Sequence, residues 1–105
     1  MTSGRVDDPE IVTIGRVSVD LYAREPHVGF EGQQTFVKSV GGSPTNVAVA
    51  AARLGHRAAV ITKVGSDPFG DYVSNKLKEF GVDTRFVGRH PEFPTPLAFA
   101  AMNPP

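Results

Sequence analysis

Two short β-branched runs on either side of one alanine-rich segment constrain this chain more than any other feature. The first run is Ile11-Val12-Thr13-Ile14-Gly15 and the second is Ala58-Ala59-Val60-Ile61-Thr62. Runs this apolar predict buried strands of a parallel sheet, because a strand with one wet face alternates apolar and polar side chains. Two strands joined through a helix run parallel with a right-handed crossover, so the pattern predicts an α/β fold that opens a doubly wound sheet.

The segment between the two runs predicts a helix whose ends are both marked. Ser43 is the predicted N-cap, and Gly55 suits the left-handed residue that follows a last helical turn. Val47, Ala51 and Leu54 recur at helical spacing, so we predict that they lie on the face that packs on the sheet. The small Ala48, Ala50 and Ala52 leave little side chain between helix and sheet, so we also predict close packing.

A second helix and further strands follow. Asp67 is the predicted N-cap of a helix that ends at Gly81. Its predicted apolar face consists of Phe69, Val73, Leu77 and Phe80. Residues 82–87 and 97–102 predict two more strands, and residues 16–40 predict two short strands around a loop.

Length, charge and composition exclude several classes of protein. A chain of 105 residues has room for one core, and 40% hydrophobic with 21% charged residues favours a folded domain. Lys plus Arg and Asp plus Glu both count 11, so we expect neither a nucleic-acid nor a membrane partner. Without cysteine, signal peptide or membrane span, we expect a cytoplasmic protein with a flexible segment at residues 1–10.

Candidate ligand-binding residues collect beyond the carboxyl ends of the predicted strands, where open α/β sheets bind ligands. Asp20 follows the first strand, Gly41-Gly42 precedes the first helix, and Asn46 lies in its first turn. A carboxylate accepts, an amide donates and accepts, and glycine admits close backbone approach, so the set suits a polyhydroxylated sugar. Arg16 and Arg89 are candidates for the carboxylate of an acidic sugar.

Each of these residues also has a purely structural interpretation. The glycine pair can be a turn, the asparagine can bond helix backbone, and the aspartate and arginines can be solvated surface groups. The glycines match neither a dinucleotide fingerprint nor a P-loop, so a dinucleotide-binding domain ranks last. A non-catalytic interaction module, whose strands pair with another chain, stays open.

Several separated segments resemble, in order and spacing, the N-terminal signature of the PfkB (ribokinase-like) carbohydrate kinases. They are Gly41-Gly42-Ser43-Pro44-Thr45-Asn46, Ala48, Arg53-Leu54-Gly55 and Lys63-Val64-Gly65-Ser66-Asp67-Pro68-Phe69-Gly70. The resemblance runs from residue 11 to the end of the chain. It implies the N-terminal portion of a ribokinase-like parallel-sheet sandwich with a small β lid, to which residues 16–40 and 96–103 contribute.

The resemblance also implies roles for individual residues. Gly41-Gly42 is the hinge between lid and core, Asp20 and Asn46 bind sugar hydroxyls, and the lid closes over the sugar and can mediate a homodimer. The segments most similar to one subfamily, the 5-dehydro-2-deoxygluconokinases of inositol catabolism, are Gly15-Arg16, Val19-Asp20-Leu21, Gly42-Ser43-Pro44 and Leu97-Ala98-Phe99. 2-Keto-3-deoxygluconate kinases and fructokinases are the alternatives.

The family's catalytic machinery is not expected in this chain. Its C-terminal motif, of the type Asp-Thr-x-Gly-Ala-Gly-Asp, supplies the base and an anion hole, and the complete enzyme uses ATP and Mg²⁺. No such motif occurs among the 105 residues. We therefore assign no catalytic residue, and we expect the isolated chain to be inactive and marginally stable because uncovered strands and helix faces remain.

Overall fold

A computed structural model describes residues 8–102, which form two three-stranded sheets and two helices. The elements are β1 (Ile11–Ile14), β2 (Ser18–Pro26), β3 (Phe36–Gly41), α1 (Ser43–Arg53), β4 (Ala58–Gly65), α2 (Pro68–Glu79), β5 (Val87–His90) and β6 (Leu97–Met102). One sheet has the order β1-β4-β5 and the other β3-β2-β6. The predicted α/β class is confirmed.

The β1-β4-β5 sheet is parallel throughout, as the β-branched runs predict. β1 pairs with β4 from Ile11 opposite Ala58 to Ile14 opposite Ile61, and β5 lies on the other side of β4. The connections from β1 to β4 and from β4 to β5 cross the sheet in the same direction. Right-handed crossovers therefore place α1 and α2 on the same face of the sheet. This face carries the core, in which Val60, Val73 and Leu77 are fully buried.

The opposite face of the parallel sheet is exposed at three large apolar residues among residues 8–102. Thr13 Oγ1 donates to the carbonyl oxygen of Pro44 at 2.8 Å, which puts Thr13 on the helix side and its neighbours on the other. Val12, Ile14 and Ile61 are accordingly 48%, 74% and 41% exposed. The prediction of strands buried on both faces is confirmed at the start of β4, where Ala58, Ala59 and Val60 are all buried. It is wrong for the three exposed residues, because the described residues supply helices to one face only.

Helix α1 packs through its small residues rather than its large ones. Ala48 and Ala51 are buried, whereas Val47 and Leu54 are 54% and 79% exposed. The predicted face is therefore wrong for both large residues. Alanines let the helix backbone approach the sheet closely, and the bulkier side chains turn to solvent.

The observed cap of α1 matches the prediction at its C-terminal end but not at its N-terminal end. Gly55 has φ 92° and its N–H donates to the carbonyl oxygen of Ala52 at 3.0 Å, as predicted for the C-terminal glycine. At the other end Gly42, with φ 106°, is the N-cap and Ser43 is the first helical residue, so the predicted serine cap is wrong. No side chain caps this end of the helix.

Helix α2 follows its predicted pattern. Asp67 is the N-cap and its side chain accepts from the N–H of Gly70 at 2.8 Å. Val73 and Leu77 are fully buried, and Phe69 is 38% exposed. The residue after the helix that adopts positive φ is Gly81, at 85°.

The predicted strand over residues 82–87 is wrong, and the strand that forms is β5. Asp83 makes one isolated bridge to Ala59, but its side chain accepts from the N–H of Arg85 at 3.0 Å. The N–H of Val87 then donates to the carbonyl oxygen of Thr84 at 3.0 Å. These local hydrogen bonds make a turn, so pairing with β4 begins only at Val87.

The second sheet is built from the two segments for which the resemblance implies a lid. β2 pairs antiparallel with β3 and parallel with β6, which confirms the strands predicted within residues 16–40 and over 97–102. Val17, Val19 and Ala23 are buried. Tyr72 Oη of α2 donates to the carbonyl oxygen of Lys38 at 3.2 Å and so ties the second sheet to the core.

Asp8 and Glu10 contact Arg57, the residue that precedes β4. Residues 1–7 of the segment predicted to be flexible lie outside the described residues. Farther on, Arg57 Nε donates to the carbonyl oxygen of Asp8 at 2.7 Å, and the N–H of Arg57 donates to Glu10 Oε1 at 3.1 Å. Within residues 8–102, neither helix is long and apolar enough to cross a bilayer.

Candidate functional site

A cleft of about 170 Å³ opens where the start of β2, the glycine pair and the start of β6 meet. Its lining residues are Arg16, Val17, Ser18, Gly42, Pro96, Leu97 and Ala98. Two of the predicted site residues, Arg16 and Gly42, are among them. The cleft lies beside the N-terminus of α1, whose N-cap is Gly42.

The carboxylate of Asp20 lies against Gly41, next to this cleft. Any side chain at Gly41 would collide with both oxygens of that carboxylate. Ser18 Oγ donates to Asp20 Oδ1 at 2.7 Å, and Tyr22 Oη lies 3.4 Å from Asp20 Oδ2. Alternate residues of β2 share one face, so the serine and the tyrosine hold the carboxylate from either side.

Gly42 is required by the backbone itself. Its φ of 106° is unfavourable for residues with a Cβ, and a Cβ there would run into the carbonyl oxygen of Arg16. The glycine pair therefore serves two purposes: Gly41 leaves room for Asp20, and Gly42 makes the sharp entry into α1.

Asn46 lies one helical turn beyond Gly42, to which its N–H donates at 2.9 Å. Its side chain is exposed, and it is not among the residues that line the cleft. The structure thus brings Arg16, Asp20 and the glycine pair together, with Asn46 at the adjoining end of α1.

Arg89 is engaged elsewhere. Its Nη2 lies 2.9 Å from Asp71 Oδ1, and its Nη1 donates to the carbonyl oxygen of Gly65 at 3.1 Å. These contacts join β5 to the N-terminal turn of α2, so they support the structural interpretation of this arginine.

Asp67 is the carboxylate with the most hydrogen bonds near the carboxyl end of β4. The Thr95 hydroxyl, the Thr95 N–H and the Gly70 N–H all donate to it and hold the pKa of Asp67 below its usual range. The sequence identified this residue only as a helix cap.

A larger cavity of about 340 Å³ lies at the opposite end of β4, beside Arg57, Ala58 and Val82. It contains none of the predicted site residues. Ligands of open α/β sheets bind beyond the carboxyl ends of the strands, and this cavity is at the amino end, so the smaller cleft is the better candidate site.

The fold is that of an α/β protein in which a small sheet adjoins a parallel sheet, with the candidate cleft beside the glycine pair. Comparison with known proteins specifies the family. The model of the "pfkB family carbohydrate kinase" matches residues 8–104, so the chain belongs to the PfkB family of carbohydrate kinases.

Curated relatives agree with the family model. The chain is 43% identical over 75 residues to 5-dehydro-2-deoxygluconokinase of Lacticaseibacillus casei, covering 71% of this chain and 23% of the relative. It is 41% identical over 78 residues to 5-dehydro-2-deoxygluconokinase of Geobacillus kaustophilus, covering 74% of this chain and 23% of the relative. The chain thus spans about a quarter of the length of these relatives.

Solved structures resemble the fold closely. An uncharacterized sugar kinase from Pyrococcus horikoshii, crystallised with ATP, has a TM-score of 0.80 and 38% identity, over 85% of this chain and 29% of that one. Fructokinase from Xylella fastidiosa has a TM-score of 0.76 and 38% identity, over 85% of this chain and 27% of that one. The predicted ribokinase-like N-terminal portion is therefore confirmed.

Proposed function

We propose that this chain is the sugar-binding part of an ATP-dependent kinase that phosphorylates a sugar or sugar acid, with 5-dehydro-2-deoxygluconate as the substrate. The observation that carries the proposal is the Asp20 carboxylate, which lies on Gly41 beside a cleft of about 170 Å³. The names of the curated relatives support the choice of substrate and the place in inositol catabolism.

Asp20 is suited to binding sugar hydroxyls. A carboxylate has about four acceptor positions, of which Ser18 and Tyr22 occupy one on each oxygen. The remaining positions are free to accept from a pair of hydroxyls. Because Gly41 has no side chain, the carboxylate can lie against the backbone of β3 at this point. Asn46 is proposed to donate to and accept from further hydroxyls.

Arg16 supports an acidic rather than a neutral substrate. It lines the cleft with Gly42 and is exposed. A guanidinium pairs strongly with a carboxylate, in two parallel hydrogen bonds where geometry allows. We therefore assign the carboxylate of the sugar acid to Arg16 and its hydroxyls to Asp20. A neutral sugar, as in the fructokinases, is the alternative.

The β3-β2-β6 sheet is proposed to act as the lid, with Gly41-Gly42 as its hinge. This support is geometric: the glycine pair ends β3 and begins α1, so it joins the small sheet to the core. Backbone without a Cβ tolerates the φ/ψ changes that a hinge absorbs.

The catalytic half of the reaction is not assigned to these residues. Among residues 8–102, no three His, Asp or Glu side chains are grouped so that they could hold a metal ion. ATP and Mg²⁺ belong in this proposal to the complete kinase. The chain by itself is expected to be inactive.

One observation favours a second candidate function, an interaction module. The ring of Phe99 on β6 makes edge-to-face contacts with Phe36 on β3 and with Phe30 in the loop before it. The exposed fractions are 54% for Phe99, 37% for Phe36 and 61% for Phe30. An exposed aromatic cluster beside open strand edges can pair with a second copy of the chain. Sedimentation of the isolated chain tests this: a stable dimer that Phe99→Ser dissociates supports it, and a monomer at all concentrations opposes it.

A chimeric kinase tests the primary proposal. Residues 11–102 replace the corresponding portion of the Geobacillus kaustophilus relative, and ATP-dependent phosphorylation is measured with 5-dehydro-2-deoxygluconate and with fructose. The proposal predicts activity with the sugar acid. A folded chimera that phosphorylates only fructose would support the assignment as a sugar kinase but contradict 5-dehydro-2-deoxygluconate as the substrate. Loss of activity with every sugar would overturn both.

A further inference from the structure

Asp67 and Thr95 join two segments that are distant in the chain. Asp67 Oδ1 accepts from Gly70 N at 2.8 Å and from Thr95 Oγ1 at 2.7 Å, and Asp67 Oδ2 accepts from Thr95 N at 2.9 Å. Thr95 Oγ1 also accepts from Gly65 N at 2.9 Å. We refer to Asp67, Thr95 and Gly65 as the clasp.

The clasp is tightly packed. Thr95 is 3% exposed, so its hydroxyl and N–H depend on protein partners. A Cβ at Gly65 would lie 2.7 Å from Thr95 N and 2.9 Å from the carbonyl oxygen of Phe93. No side chain fits there. The last residue of β4, the N-cap of α2 and the segment before β6 therefore meet at one point.

The clasp is followed directly by one wall of the cleft. Thr95 precedes Pro96, Leu97 and Ala98, all of which line the cleft together with Arg16. The carbonyl oxygen of Pro96 accepts from the N–H of Val19 at 2.9 Å, which is where β6 joins β2. Proline restricts both its own φ and the conformation of the residue before it, so the position of Thr95 is passed on to the start of β6.

We propose that Asp67 is a positioning residue for the sugar cleft: by holding Thr95 it fixes the start of β6 against β2 and so sets the wall formed by residues 96–98. The inference rests on the proposed function in taking this cleft as the sugar site. It gives Asp67 a role beyond capping α2, because the hydrogen bond to Gly70 alone would satisfy the cap.

Asp67→Asn separates the two roles. Asparagine is as good an N-cap as aspartate, so the hydrogen bond from Gly70 survives. Its side-chain NH₂ would face the N–H of Thr95, donor against donor, so the bond to that N–H is lost. The matched control is Asp83→Asn, which alters another carboxylate that accepts a backbone N–H, from Arg85, away from the cleft.

Amide hydrogen exchange of the 105-residue chain measures how firmly the start of β6 is held against β2, because the Val19 N–H is bonded to Pro96. We expect Asp67→Asn to speed exchange at the Val19 N–H about fivefold to tenfold, since roughly one hydrogen bond is lost, while exchange at Val73 stays within about twofold. Asp83→Asn should leave Val19 unchanged. Unchanged exchange at Val19 in Asp67→Asn, with a lower melting temperature, would reduce Asp67 to a helix cap and overturn the proposal.

Kinetics of the chimeric kinase provide the second measurement. Asp67→Asn and Thr95→Val should each raise KM for the sugar about tenfold, while KM for ATP stays within about twofold. Thr95→Ser keeps the hydroxyl, so its KM for the sugar should stay close to that of the unmodified chimera. Equal changes in both KM values would contradict a positioning role. If the chimera phosphorylates no sugar, the proposed function fails, whereas the exchange experiment still decides whether the clasp holds β6.

Discussion

The carboxylate of Asp20 lies so close to the Cα of Gly41 that no side chain can occupy position 41 without displacing it. The neighbours Ser18 and Tyr22 contact the same carboxylate at 2.7 and 3.4 Å. A residue on β2 and a residue on β3 thus share one small volume beside the cleft. The predictions that follow depend on this arrangement.

Gly41→Ala should impair the site more than the fold. The new Cβ meets the end of the Asp20 side chain, which can rotate away by giving up its contacts with Ser18 and Tyr22, so the free energy of unfolding should fall by about 1 kcal/mol. In the chimeric kinase, KM for the sugar should nevertheless rise about tenfold because the carboxylate is displaced. Gly29→Ala, where a Cβ meets nothing within 4 Å, is the control for both measurements. An unchanged KM would argue against Asp20 as a sugar ligand.

Gly42→Ala should destabilise the fold, in contrast to Gly41→Ala, which should mainly impair the site. Its Cβ would meet the carbonyl oxygen of Arg16, which is backbone and cannot rotate away, and φ is 106°. We expect the free energy of unfolding to fall by about 2 kcal/mol or more. Urea unfolding monitored by circular dichroism measures this. A loss below about 0.5 kcal/mol would show that the entry into α1 relaxes easily.

Arg16→Gln separates an acidic substrate from a neutral one. Removing a charge-assisted contact should raise KM for 5-dehydro-2-deoxygluconate about tenfold or more and leave KM for fructose within about twofold. Arg24→Gln, also an exposed arginine at the same end of the chain, is the matched control. Equal losses with both sugars would mean that Arg16 supports the cleft without reading the carboxylate.

Local chemistry made parts of the fold predictable from the sequence. Asp67, Gly55 and Gly81 mark helix ends because a side-chain cap or a positive φ is set by residues within one turn. The strands within residues 16–40 and over residues 97–102 were also predictable, from the β propensity of their own residues.

Features that depend on distant partners were missed. The sequence predicted close packing through small alanines correctly, but it also placed Val47 and Leu54 on the face toward the sheet, where the structure has them exposed. Ser18 and Tyr22 were missed as partners of Asp20, although their alternation on one strand was a usable signal. The bond from Thr95 to Asp67 spans 28 residues, and no local pattern predicts it.

Stability should fall on acidification. The Thr35 hydroxyl and N–H hold the pKa of Glu25 below its ordinary 4.5, and those of Thr95 hold the pKa of Asp67 below its ordinary 3.8. A lowered folded-state pKa contributes stability that is present above the unfolded-state value and lost as pH falls through the folded-state value. The urea midpoint should therefore be steady from about pH 7 to 5 and decline below about pH 4. A midpoint that rises on acidification would contradict these hydrogen bonds.

The sugar KM of Asp20→Asn and Asn46→Ala in the chimeric kinase tests the central claim most directly. If these residues bind sugar hydroxyls, each change should raise KM for 5-dehydro-2-deoxygluconate about tenfold or more, while KM for ATP stays within about twofold. Equal effects on both substrates, or no effect on either, would contradict the assignment of the cleft as a sugar site.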